Sequence, residues 1–453
     1  MEQYFKWGRE QLKDSMTETE FRKVLAFVNS KIGCGHTSIR ASKGYNRYID
    51  TVRIYRIFPI SLKIWADKND PLRNTAVITG NLNRKDSMLR RGTVITKING
   101  MPMSKVVDSL FRFLPTDGYN TTHKYQTLSN RGFFGSLYTS IFGFPNHFNV
   151  EYIDTAGQLR SRTISTYFPA ADTFGRAAAR AQQPPRPPRV IPQPSRKERK
   201  QMRRNSVRLL KIDSASKVAM MDLSSFGRGY GLKGFFKRSF KALRKNDIGH
   251  LIIDVRSNGG GSVTNSTFLT RLIADQKFKI ADSLYAVDKR KRYGDYIQND
   301  FFNRLFMTFF TRKRKDGHWH FGYFEKHYFK PKKKNHYDGK LYILTGGNSF
   351  SATTLFASAL EKQDNVTIVG EETGGGAYGN SAWLIPDVTL PNTKVRFRLP
   401  LFRLVIDKNI PKNGKGVQPE VESIPTVKAI ADGVDYKVMK TMELIEADKK
   451  RKK

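Results

Sequence analysis

The chain has one cysteine, Cys34, in 453 residues. No internal disulfide can form, which excludes a disulfide-stapled small fold. No run of apolar residues is long enough for a membrane-spanning helix. The first residues, Met1-Glu2-Gln3-Tyr4-Phe5-Lys6-Trp7, lack the basic-then-apolar pattern of a secretory signal. Acidic residues are scarce, 40 against 80 basic ones, and the net charge is +40. Such a surface suits an anionic surface or polymer, including anionic lipid or nucleic acid. The basic residues spread over the whole length, as a general basic bias in the source would spread them. They also cluster in Arg312–Lys315, Lys330–Lys334 and Lys449–Lys453, where solvated loops or tails are the usual outcome. Neither a zinc finger nor an aromatic RNA-binding motif accompanies them, so no specific nucleic acid is indicated.

The length fits two or three domains, and aromatics at 12% supply material for a sizeable core. Thr17-Glu18-Thr19-Glu20 reads as a capping box. Phe21, Val24, Leu25 and Val28 then follow at helical spacing, and the helix should end near Gly33. Residues 37–65 alternate loosely, as short strands would. Arg91–Gly100 reads as a strand ending in an Asn-Gly turn, with a helix at Val106, Val107, Leu110 and Phe111 and a strand over Phe148–Asp154. That order resembles a PDZ-like domain, which binds extended peptides by strand addition, though any small mixed domain also fits. Arg176–Arg204 holds Pro184-Pro185-Arg186-Pro187-Pro188 and a mostly basic stretch, and reads as a flexible linker without a packed element. From Val207 onward, strands at 219–223, 250–255, 340–345 and 366–370 alternate with helical signals. This implies an α/β layer structure with parallel pairing. Residues 287–338 form an aromatic, basic insertion with no clear period.

Three separated segments carry the candidate chemistry. Ser351 follows an apolar strand and a glycine turn and opens an Ala-rich helix, where the helix dipole favours an attacking alkoxide. A serine there more commonly caps the helix. The run Gly259-Gly260-Gly261 follows the strand ending at Asp254 and Arg256. Glycine lets backbone N–H groups approach a ligand, so Gly259 or Gly260 and the N–H of Ala352 are the candidate oxyanion donors. No lysine followed by Ser or Thr comes after this run, which excludes a phosphate-binding P-loop. His36, on the turn Ile32-Gly33-Cys34-Gly35-His36-Thr37, is the candidate general base, although a lone histidine between glycines is more often structural. Cys34 lacks the activating context of a nucleophile, and no second Cys/His pair supplies a metal site.

In these segments the chain resembles the tail-specific, or C-terminal processing, serine peptidases. It is most similar to the branch with the tricorn core and retinoid-binding-protein-like modules. Ile32–Thr37, the strand into Asp254–Gly261, Asn348–Thr354, Val369–Gly376 and Gly414–Glu420 carry the resemblance, in the family's order. It implies an α/β, crotonase-like catalytic domain, a PDZ-like domain and a helical N-terminal segment. It also implies a location in the cell envelope, periplasm or outside the cell, and requires neither metal nor organic cofactor. The family's Ser–Lys variant places its lysine where this chain has Gly374-Gly375-Gly376. The Ser–His variant matches Ser351 and His36, with Cys34 where the family commonly has aspartate. The family's glutamate aligns with Asn413, which is not an acid. Asp407 is the substitute nearby, while Glu371, Glu372 and Glu420 support loops.

The expected organisation is an N-terminal segment at 1–66, a PDZ-like domain at 67–172, a linker at 173–206, a catalytic domain at 207–435 and a helix with basic tail at 436–453. The expected function is a serine endopeptidase acting on extended or unfolded polypeptides. The alternatives are a non-catalytic peptide- or ligand-binding protein on the same scaffold and a nucleic-acid-binding protein.

Overall fold

The runs His250–Asp254, Lys340–Thr345 and Val366–Gly370 carry successive apolar side chains, which suits strands covered on both faces. In the computed structural model they lie side by side in a six-stranded sheet. Its order is Val421–Glu422, Val366–Gly370, Lys340–Thr345, His250–Asp254, Val218–Leu223, Arg208–Asp213. Only the last two strands pair antiparallel, and the other ladders are parallel. The structure describes residues 1–52, 57–67, 74–84, 86–168, 193–289 and 293–451.

The period of two sorts this sheet's residues into two cores. Leu251, Ile253, Leu341, Ile343 and Ile368 face one cluster, shared with Phe236 and Phe240 of helix Leu232–Lys245 and Phe356 of helix Ala352–Ser358. Each such buried side chain contributes roughly 1.5–3 kcal/mol. Ile252, Tyr342, Leu344 and Val369 face the other cluster, closed by Ile445 of helix Tyr436–Arg451. The result is a mixed α/β layer structure.

A second six-stranded sheet is antiparallel and includes Ile60–Ala66, Asn74–Asn81, Val94–Ile98, His147–Ile153 and Leu159–Ser165. The Asn-Gly turn forms as read: Asn99 and Gly100 both have positive φ, and Met101–Pro102 pairs back on Val94–Ile98. Val106, Val107 and Leu110 of helix Met103–Phe111 are buried beneath this sheet. Ile60–Ala66 pairs along its length with Asn74–Asn81, so these two strands act as one hairpin. A five-stranded antiparallel sheet runs Arg312–Lys313, Trp319–His320, Ser283–Ala286, Phe402–Val405, Gly379–Ala382.

Several segments differ from their sequence reading. The Thr17–Glu20 box does open helix Glu18–Ser30, with both reciprocal hydrogen bonds. Its most buried apolar residue is Phe27, held between the rings of Trp7 and Phe113, while Phe21, Val24, Leu25 and Val28 are half-buried. Residues 43–52 are helical, not extended. Arg196–Asn205, expected to be unstructured, is a helix opened by a Ser195–Glu198 capping box, with no buried residue. A cap and a run of straight-chain residues suffice there without a core contact. The proline cluster of that linker lies outside the described residues. The 287–338 insertion contains helix Asp300–Phe310.

Candidate active site

Strands His250–Asp254 and Lys340–Thr345 are neighbours and parallel, so the loops leaving their C-terminal ends meet. The two loops are fastened together. The Ser349 hydroxyl donates to Val255 O at 2.8 Å and accepts from Gly346 N at 3.2 Å. The Phe350 N–H donates to Asn258 O at 3.1 Å. Ser349 and Asn258 are fully buried, and the Ser349 hydroxyl and the Asn258 backbone and side-chain oxygens are used internally.

Ser351 sits where strand turns into helix, with φ 57° and ψ −120°. A non-glycine residue in that region is strained, and the neighbouring contacts must hold it there. Its side chain makes no capping hydrogen bond. The commoner role of a serine at this position is therefore absent. The N–H of Ala352, in the first turn, has no acceptor among the described residues. Gly260 packs directly on this elbow. A Cβ there would lie 2.6 Å from Phe350 O, 2.8 Å from Ser351 Cβ and 2.9 Å from Ala352 N, and Gly260 itself has φ +95°. Only glycine permits that approach. The two glycines expected as oxyanion donors differ. Gly260 already donates its N–H to Asn258 Oδ1 at 2.9 Å. The exposed Gly259 has no acceptor for its N–H among the described residues.

His36 comes from the other end of the chain. Its turn is closed by Thr37, whose N–H and hydroxyl both donate to Cys34 O. It is tied to a second turn by Gly118 N to Gly33 O at 3.0 Å. The imidazole is buried and packs against the ring of Phe350, the residue before Ser351, at 4.8 Å between centroids. The structure thus brings the histidine turn against the serine elbow. Neither ring nitrogen has a hydrogen-bond partner. Burial, then the charges of Arg398 and His123, push the imidazole down to about 4, so it is neutral at pH 7.

The acid nearest this ring is Asp117, whose Oδ1 lies 3.9 Å from His36 Nδ1. Asp117 accepts from the N–H groups of Gly35 at 2.8 Å and Gly376 at 3.2 Å. Burial pushes its carboxyl up to about 6, against those two N–H groups and Arg403. Asp407 and Asn413, the sequence candidates for this place, make no hydrogen bond to His36. Asp407 accepts from Asn409 N and Asn413 from Lys415 N, each turning its own loop. Asp117 sits in Thr116-Asp117-Gly118, which on sequence reads only as a turn. His123 was also missed. It also stacks on the Phe350 ring, 4.8 Å between centroids, and its Nδ1 bonds Gly347 O at 2.7 Å. No local signal marks either residue: both come from one turn and the start of helix Thr121–Ser129, far in sequence from the other site segments.

Residues 217–423 match the model of peptidase family S41. The match covers a little under half of the chain. The chain is a serine-type peptidase, and its substrates are polypeptides. No curated protein matches the sequence. Among solved structures, mature CPAF complexed with lactacystin aligns over 99% of this chain and 91% of its own, with 14% identity and a TM-score of 0.62. Mature CPAF alone aligns over 95% and 88%, with 14% identity and a TM-score of 0.60. At that identity the likeness is one of fold, and it runs almost the full length.

The glutamates of the motif at 369–376 are engaged in tying loops together. Glu372 accepts from Thr122 Oγ1 at 2.8 Å and from Gly416 N at 2.6 Å. Glu371 pairs with the buried Lys437 at 2.6 Å. Burial alone would raise the Glu371 carboxyl, but Lys437 and Lys63 outweigh it and hold it below its ordinary value.

Proposed function

We propose that Ser351 is the nucleophile and His36 the general base of a serine endopeptidase that cleaves extended or unfolded polypeptides. The observation that carries this reading is the strained, uncapped conformation of Ser351 at a helix N-terminus. Ser351 Oγ attacks the scissile carbonyl as its proton passes to the neutral His36. The N–H groups of Ala352 and Gly259 take the oxyanion. His36 then returns the proton to the leaving amine. Asp117 is the acid that stabilises the imidazolium, through charge at short range in a buried setting. The serine–histidine hydrogen bond forms when substrate binds, as such contacts commonly tighten in the Michaelis complex.

Residues 207–435 form a crotonase-like catalytic domain in this reading. The PDZ-like unit of 67–172, extended back to Ile60, presents the polypeptide. The net charge of +40 favours substrates or surfaces of negative charge. The test is hydrolysis of a denatured, fluorophore-quenched protein substrate. Ser351→Ala should lower kcat by about 10³-fold or more while leaving the far-ultraviolet circular dichroism unchanged. Undiminished cleavage by that variant would remove Ser351 from the mechanism.

A further inference from the structure

Cys34, His36 and Asp117 are all buried, and one ligand atom from each lies within 4.8 Å of the others. The chain carries no other cysteine. The mechanism above uses His36 and Asp117 but has no task for Cys34. Its thiol is buried, with only a weak contact to Ser381 O at 3.7 Å. A buried imidazole with both nitrogens unpartnered is costly unless a ligand uses them.

We propose that Cys34, His36 and Asp117 form a zinc-class metal site whose occupancy switches the peptidase off. The switching half rests on His36 being the base. The donor set is one sulfur, one nitrogen and one oxygen, which selects a borderline divalent ion such as Zn²⁺ over Mg²⁺ or Ca²⁺. Metal–ligand bonds of about 2.0–2.3 Å hold neighbouring donors roughly 3.2–3.8 Å apart in a tetrahedron. The three groups need to close by about 1.6 Å at most, and His36 Nδ1 and Asp117 Oδ1, already 3.9 Å apart, by less. Charge also balances. On binding, the Cys34 thiol releases one proton to solvent, and thiolate plus carboxylate neutralise a dication inside a buried site. Asp117 keeps its N–H bonds from Gly35 and Gly376 through its remaining lone pairs. These bonds orient it as the outer shell of a metal ligand does.

The consequence for catalysis follows from the single proton of a neutral imidazole. His36 Nδ1 faces Asp117. With its Nδ1 lone pair on the metal, the ring carries its proton on Nε2 and cannot accept one from Ser351. The ion is therefore an inhibitor, and chelation restores the base.

The experiment titrates the full-length, chelator-treated protein with Zn²⁺ by calorimetry and with Co²⁺ by absorption, and assays hydrolysis in parallel. One Zn²⁺ per chain is expected, with a Co²⁺–thiolate charge-transfer band in the near ultraviolet. That band can come only from Cys34. Cys34→Ala and Cys34→Ser should both lose the band and weaken Zn²⁺ binding by at least tenfold, and Asp117→Asn should weaken it similarly. Zn²⁺ should inhibit the wild type reversibly, and the concentration for half-inhibition should rise at least tenfold in either Cys34 variant, each measured against its own metal-free rate. Absence of the band, or equal Zn²⁺ affinity in wild type and both Cys34 variants, overturns the site. Stoichiometric binding without inhibition of an active enzyme overturns the switch. Binding with the expected band in a protein that hydrolyses nothing even when metal-free upholds the site and counts against the peptidase mechanism instead.

Discussion

At the scale of single residues, the site depends on one close approach and one strained elbow. Gly260 lies against Phe350, Ser351 and Ala352 so tightly that no Cβ fits, and its φ of +95° is costly for any other residue. Gly260→Ala should therefore push the elbow away and lower kcat by about 100-fold or more, with a stability loss of roughly 1–3 kcal/mol. Hydrolysis rates and urea denaturation measure the two effects separately, and a variant with unchanged kcat would remove this contact from the account. The residues with a local signature were legible in the sequence. Ser351 stands between a strand and a helix, the glycines follow a buried strand, and His36 lies in a glycine turn. Asp117 was not legible, since an Asp-Gly pair after a helix has the same appearance wherever it faces. Nor could the sequence separate Gly259 from Gly260, because the difference is made by the side chain of Asn258.

At the scale of elements, the helix Tyr436–Arg451 does more than cover a sheet face. Its Lys437 is almost fully buried, donates to Thr345 O at 2.8 Å and pairs with Glu371. Burial pushes the Lys437 ammonium down to about 8, and Glu371 works against that shift. The pair pins the C-terminal helix to the end of strand Lys340–Thr345, just before the elbow. Lys437→Met leaves the Glu371 carboxylate buried beside the weaker, more distant charge of Lys63 at 3.9 Å. The expected cost is about 3–5 kcal/mol, read as a lower urea midpoint. Glu371→Leu combined with Lys437→Met should recover part of it, and equal stability of Lys437→Met and wild type would contradict the assignment. Periodicity and capping chemistry made the parallel strands and helices such as Glu18–Ser30, Met103–Phe111 and Leu232–Lys245 readable, but not Thr121–Ser129 or Phe133–Phe142. The helix Lys43–Val52 escaped because its apolar residues are few, and the basic helix Arg196–Asn205 escaped because it buries nothing.

At the scale of the whole molecule, the proposed mechanism depends on long-range assembly. The N-terminal turn, the Asp117 turn and the loops of the parallel sheet are far apart in sequence and meet around Phe350. The α/β core could be read from alternating strands and helices. The antiparallel five-stranded sheet could not, because its strands are two to four residues long and are drawn from both sides of the catalytic motif. A serine-reactive fluorophosphonate tests whether that assembly works as a nucleophile and its base. Mass spectrometry of the labelled wild type should find the adduct on Ser351, and His36→Ala should slow labelling by about 10³-fold. An adduct on another serine, or labelling of His36→Ala at the wild-type rate, would contradict the account.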